Sequence, residues 1–208
     1  MRSDVSFGIA QHSKAKKKQR RKMKEKIIEI TKPKIIRINV TIKGITSLLV
    51  NRVYPEDIKQ STKREKDEEQ IFQRCLYPVI DGKHTFPAAG IKRCITNAAH
   101  TYAPSIPKTR VRGSVFIPVE YCPIEGSKPT MHKVTGRNPN KRSCAIEIIR
   151  AEFKEWRITF PLEYDANGVL DLETILNLIA IAGNSVGIGG WRPACDGDKG
   201  RFEIESAK

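Results

Sequence analysis

From Ile36 to Ile42 the chain alternates strictly, with Ile36, Ile38, Val40 and Ile42 on one side and Arg37, Asn39 and Thr41 on the other. That period of two predicts a strand with one buried face. The same pattern returns more strongly at Trp156, Ile158, Phe160, Leu162 and Tyr164, set against Glu155, Arg157, Thr159 and Glu163. These aromatics are core candidates, not platforms for stacked bases. Two stretches carry the helical period instead. Pro87 to His100 places Ile91, Ile95 and Ala98 or Ala99 on one stripe, with proline suited to the first turn. After a turn at Asp165 to Gly168, Asp171 reads as an N-cap, and Ile175, Leu176, Ile179 and Ala180 form a second stripe ending near Gly183.

Three segments are less regular. Ser47 to Val53 is an apolar run that reads as a turn or a short helix, and Pro55 to Gln73 reads as an exposed helix or an insertion. Val115, Ile117 and Val119 suggest a strand from Ser114 to Tyr121, which Pro118 restricts to an edge or an irregular position. Gly126 to Arg142 is a long excursion rich in Pro, Gly, Asn, Lys and Arg, either a basic finger over a nucleic-acid strand or a long hairpin loop. Arg201 to Ile204 supplies a last short strand. The order is strand, helix, strand, strand, helix, strand. This is the α+β, ferredoxin-like (split βαβ) arrangement, expected as one domain over residues 35–208 with insertions at about 47–85 and 122–143. Many unrelated functions use it.

Charge narrows the choice. Lys and Arg number 38 against 23 Asp and Glu, a formal net charge of +15. The isoelectric point near 9.7 implies an anionic partner. The excess is uneven: Lys14 to Lys26 holds nine basic residues in thirteen, among them Lys16, Lys17, Lys18, Arg20, Arg21 and Lys22, with Glu25 the one acid. Residues 1–34 therefore read as a basic, self-repelling arm, either a nucleic-acid tether or a solubilising tail. The five cysteines, an odd set with no close pair, suggest neither a disulfide framework nor a zinc knuckle, and point to a reducing, cytoplasmic setting. No apolar run reaches the length of a membrane span, so no membrane partner is expected.

Six of the fourteen glycines fall between Gly183 and Gly200, interleaved with Trp191, Arg192, Lys199, and followed by Arg201 and Phe202. Bared glycine amides form a concavity suited to phosphate oxygens, so this loop reads either as a polyanion clamp or as a turn-rich connection. Candidate phosphate contacts are Gly187, Gly189, Gly190, Arg192, Lys199, Gly200 and Arg201 in the loop and Lys133, Arg137, Lys141 and Arg142 in the excursion. Lys92 and Arg93 on the first helix are either phosphate contacts or ordinary solvated charges.

The run from Ala182 to Pro193 (Ala-Gly-Asn-Ser-Val-Gly-Ile-Gly-Gly-Trp-Arg-Pro), followed by Lys199-Gly200-Arg201-Phe202, resembles a phage-encoded family of small, functionally obscure proteins. Phe86-Pro87-Ala88-Ala89 and the strand from Glu152-Phe153 to Trp156 extend the likeness over most of the body, though not the arm. More distantly, a glycine-rich loop after the second helix of a ferredoxin-like fold resembles the RAMP superfamily, the RNA-binding backbone subunits of CRISPR effector complexes. That resemblance implies single-stranded RNA laid across the sheet or palm, with copies of the protein side by side. Gly187, Gly189, Gly190, Gly200, Arg192 and Arg201 are the residues that carry it. The loop departs from the pattern at Ala194-Cys195-Asp196-Gly197-Asp198, where two aspartates disfavour a phosphate unless they point away.

Enzyme signatures are thin. Gly187-Ile188-Gly189 begins a dinucleotide pattern that Arg192 ends, and no Walker lysine follows a suitable loop. The histidines, His12, His84, His100 and His132, are scattered, and the sequence shows no partner for His132 as a general base. Asp196 and Asp198 are no more than loop acids. The expectation is a non-enzymatic protein without metal or cofactor, binding single-stranded nucleic acid, RNA before DNA, through phosphates and with little sequence preference. The alternatives are a module engaging or mimicking a host or phage nucleoprotein complex, and a metal-independent ribonuclease using His132.

Overall fold

In a computed structural model of the chain, residues 32–52, 67–137 and 145–208 are described, leaving aside the side chains of residues 101, 102, 137 and 146. The basic run from Lys16 to Lys22, and Lys141 and Arg142 of the excursion, lie outside these residues.

The two alternating segments pair with each other. Strand β1 (Ile35–Gly44) runs antiparallel to β7 (Trp156–Asp165), with Val40 opposite Phe160 and Ile42 opposite Ile158. All four of those side chains are fully buried, because the shared period of two puts Ile36, Ile38, Val40 and Ile42 on the same face as Trp156, Ile158, Phe160, Leu162 and Tyr164. The opposite face is polar and largely self-neutralised. Arg37 pairs with Glu163 at 3.0 Å, Arg157 with Glu205, and the Thr41 and Thr159 hydroxyls meet at 3.0 Å.

β8 (Phe202–Ala207) adds to the free side of β1, while β4 (Tyr121–Gly126) and then the short β3 (Thr85–Pro87) add beyond β7. The result is a five-stranded antiparallel sheet ordered β3-β4-β7-β1-β8. Two helices supply apolar stripes to the same core, α2 (Ala88–Tyr102) through Ile91, Ile95 and Ala98 and α4 (Leu172–Ser185) through Ile175, Leu178 and Ile179. The Asp171 carboxylate caps α4 by accepting from Thr174 N–H at 2.8 Å. Leu178 faces inward and Ala180 outward, the reverse of the expected weighting for Ala180. Gly183 lets α4 close on β8, since a Cβ there would stand 2.1 Å from the Phe202 carbonyl oxygen.

A second, three-stranded antiparallel sheet is ordered β2-β6-β5, from β2 (Leu48–Val50), β6 (Ala145–Phe153) and β5 (Thr130–Arg137). Here the sequence expectations need correction. Leu48-Leu49-Val50 is a strand, not a turn or helix, because its partner β6 lies about a hundred residues away. Of the segment from Pro55 to Gln73, expected as an exposed helix or an insertion, residues 55–66 lie outside the described residues and the remainder enters α1 (Glu68–Cys75), whose Phe72 and Cys75 are buried. Ser114 to Tyr121 is not a strand: α3 (Lys108–Ser114) precedes it, Phe116 makes one isolated bridge to Glu163, and Pro118 keeps the rest irregular until β4 begins. The excursion after Gly126 is mostly hairpin, with Thr130 opposite Glu152 and Arg137 opposite Ala145. β4 belongs to the five-stranded sheet, so residues 122–126, expected to open an insertion, lie in a strand of that sheet.

Candidate nucleic-acid interface

Four amides of the glycine loop are spent within the fold. Gly187 N–H donates to Ala182, Ile188 N–H to Gly200, Gly190 N–H to Leu49 and Gly200 N–H to Ser47, all at 2.8–2.9 Å. Two positions need glycine for close approach as well as for backbone angle. A Cβ on Gly200 (φ +67°) would stand 1.8 Å from the Ile188 carbonyl oxygen, and one on Gly189 (φ +77°) 2.3 Å from that of Leu49. The expected amide concavity at Gly187, Gly190 and Gly200 is therefore corrected. These glycines knit the loop onto the start of β2, and side chains must do any recognition.

The basic side chains divide into two groups. Arg93 and Arg192 line one cleft of about 310 Å³ between α2 and the loop, together with Asn97, Asn51 and Tyr77. Arg93 and Asn97 stand four residues apart, on one face of α2. Arg93 is exposed and Arg192 half-buried, with one Arg192 Nη1–H donated to the Gly189 carbonyl at 2.9 Å. No carboxylate lines the cleft among the described residues. Cys94 also borders it, but burial pushes its thiol up to about 12 against the opposing pull of Arg192, so it stays a neutral thiol.

Lys92, Lys133 and Arg201 are engaged elsewhere. Lys92 sits 4.7 Å from the centre of the Phe116 ring, Lys133 pairs with Glu68, and Arg201 donates to the Asn184 side chain. The Arg201 Nε is buried without a hydrogen-bond partner among the described residues. Arg137 stands at the end of β5. Asp196 and Asp198 are exposed.

Lys199 belongs to a polar cluster that sequence reasoning did not assemble. Its ammonium donates to Glu152 Oε1 at 2.9 Å and to Ser47 Oγ at 2.8 Å, and Ser47 Oγ donates to the same Glu152 oxygen at 2.6 Å. His132 Nδ1 lies 3.2 Å from the other carboxylate oxygen, with its ring edge-on to Trp191 at 5.8 Å. Burial alone pushes Glu152 up. The hydrogen bonds from Ser47 and Lys199, with the Lys199 and His132 charges, outweigh it and hold the carboxyl below its usual value. Trp191 is held in left-handed backbone (φ +47°), uncommon for a bulky residue.

Among the described residues no group of three or more His, Cys, Asp or Glu is placed to hold a metal ion. No described helix is long and apolar enough to cross a membrane.

No protein-family model matches the chain, and no curated protein matches its sequence. Its fold is similar to a chain in the cryo-EM structure of the type III-B Cmr-β complex bound to cognate target RNA, with a TM-score of 0.55 at 13% identity. That match covers 99% of this chain and 67% of the other. The likeness is one of fold alone. The resemblance to a phage-encoded family finds no support in these comparisons.

Proposed function

We propose that this protein binds single-stranded nucleic acid without cleaving it, gripping the sugar-phosphate chain at the cleft between α2 and the glycine loop. The observation that carries the reading is the convergence of Arg93 and Arg192 on one cleft that no described carboxylate enters. Two guanidinium groups on a concave surface recognise phosphate oxygens with directed N–H donors, and they carry no sequence information. A net charge of +15 draws a polyanion toward the surface. RNA is preferred over DNA in this reading because the Cmr-β assembly of similar fold was solved with target RNA.

The five-stranded sheet is read as ferredoxin-like. In support, β4, β7, β1 and β8 are adjacent in that order, with α2 between β1 and β4 in sequence and α4 between β7 and β8. The paired charges on the outer face of that sheet favour the cleft over the sheet as the path of the strand.

Fluorescence anisotropy with labelled single-stranded RNA, single-stranded DNA and duplex DNA, at several salt concentrations, tests the reading. Salt-sensitive preference for single strands that survives removal of residues 1–32 supports a site on the folded body. Equal binding to all three, or none after removal, rejects it.

A second reading, metal-independent RNA cleavage, rests on the His132–Glu152 contact at 3.2 Å. With the carboxylate at Nδ1, Nε2 is left as the base, able to take the proton of a ribose 2′-hydroxyl as that oxygen bonds to the adjacent phosphorus and the phosphorus–5′-oxygen bond breaks, the leaving oxygen taking a proton from water. Cleavage of a labelled strand by the wild type that disappears in His132→Ala would favour it.

A further inference from the structure

A phosphate clamp needs cations and N–H donors, and the cleft offers more than that. Asn51, just past the end of β2, brings a carboxamide to the lining, and Tyr77 forms part of the wall. Carboxamides both donate and accept, which is the chemistry that reads the edge of a base. Asn51 Oδ1 accepts from the Cys75 thiol at 3.6 Å, a bond that leaves both N–H donors of the amide for other partners. Tyr77 is held edge-on to Phe86 at 6.0 Å and tilted against Tyr121 at 6.2 Å, so its ring position is fixed by packing. Burial pushes its phenol up, which keeps the hydroxyl neutral and able to donate at working pH.

Size points the same way. A volume of about 310 Å³ sits at the lower end of small-ligand pockets, room for one compact molecule. Arg93 approaches from α2 and Arg192 from the loop, so an anionic group can bridge helix and loop while the Asn51 carboxamide and Tyr77 take the remainder.

We propose that this cleft receives one unpaired nucleotide, its phosphate between Arg93 and Arg192 and its base edge on Asn51 beside Tyr77. The proposal rests on the nucleic-acid reading above and deepens it: one position along a bound strand is read by its base, the rest by phosphate alone.

The test is calorimetric titration of the full chain with the four nucleoside 5′-monophosphates, ribose 5-phosphate and inorganic phosphate. A base contact predicts that at least one monophosphate binds about tenfold or more tighter than ribose 5-phosphate, the scale of one good amide–base pair. Arg93→Ala, at an exposed position, should weaken the monophosphate and ribose 5-phosphate alike without shifting Tm. Equal affinities for monophosphates and ribose 5-phosphate, or no binding of any monophosphate, overturns the proposal. Anisotropy of a labelled single-stranded RNA on the same preparation separates the two levels. A strand that binds while mononucleotides show no base preference removes the nucleotide pocket alone, whereas absence of strand binding removes the wider reading with it.

Discussion

Lys199 Nζ lies 2.9 Å from Glu152 Oε1, across a link between the glycine loop and the central strand of the smaller sheet. Glu152 is only 8% exposed, so its charge depends on that ammonium and on Ser47. Lys199→Met should therefore destabilise the protein by about 1–3 kcal/mol, the cost of leaving a buried charged acceptor poorly satisfied. Adding Glu152→Leu should recover part of the loss, because it removes the stranded charge. Urea unfolding of the two variants checks both expectations.

The same carboxylate sets a pH dependence. Its folded pKa is lowered from 4.5, so its contribution is fully present above that value and is lost as pH falls through the lower folded value. Glu152→Gln should be less stable than wild type at neutral pH, and the gap should narrow on acidification below about pH 4.5. Unfolding curves at pH 7 and near pH 3.5 measure it. A gap that stays constant would remove Glu152 as the group responsible.

Glycines in the loop should separate by geometry. Gly200→Ala meets a carbonyl oxygen at 1.8 Å from left-handed backbone, whereas Gly190→Ala finds its nearest neighbour at 3.6 Å. The first should cost at least about 2 kcal/mol through strain and clash. The second should cost less than about 1 kcal/mol. Comparable losses in denaturant midpoints would mean that the loop can rearrange.

Thiol chemistry gives an independent check on the core. Burial pushes Cys94 and Cys122 up to about 12, and Cys75 is raised by the same cause, while Cys195 is exposed. In a Cys144→Ser background at pH 8, Cys195 should react with a disulfide reagent well before those three, and adding Cys195→Ser should remove that early phase.

Sequence pattern revealed the fold where a strand or helix buries one face by itself. Ile36 to Ile42 and Trp156 to Tyr164 announce their period, and Asp171 announces its helix. β2 was hidden because Leu48-Leu49-Val50 is apolar throughout, and only pairing with residues 151–153 makes it a strand. Val115, Ile117 and Val119 mimicked a strand, yet Val115 is buried and Val119 exposed, so no single face is shared. The site was half legible. Glycine spacing drew attention to the loop that supplies Arg192 to the proposed cleft, but not as an amide concavity, since the Gly200, Gly190 and Gly187 amides are spent on Ser47, Leu49 and Ala182. Arg93 and Asn97 carried a readable signal, a cation and an amide one helical turn apart. Their meeting with Arg192 and Asn51 joins three separate stretches of chain, which no local pattern encodes. His132 seemed to lack a partner because Glu152 is brought to it across a hairpin.

The most direct test of the central claim compares wild type with Arg93→Ala/Arg192→Ala for binding of a labelled single-stranded RNA across a salt series. Loss of two phosphate contacts predicts weaker binding and a log–log salt slope shallower by about 1.4, with duplex DNA less affected. Unchanged affinity and slope in the double variant would contradict the account and move the site away from the cleft.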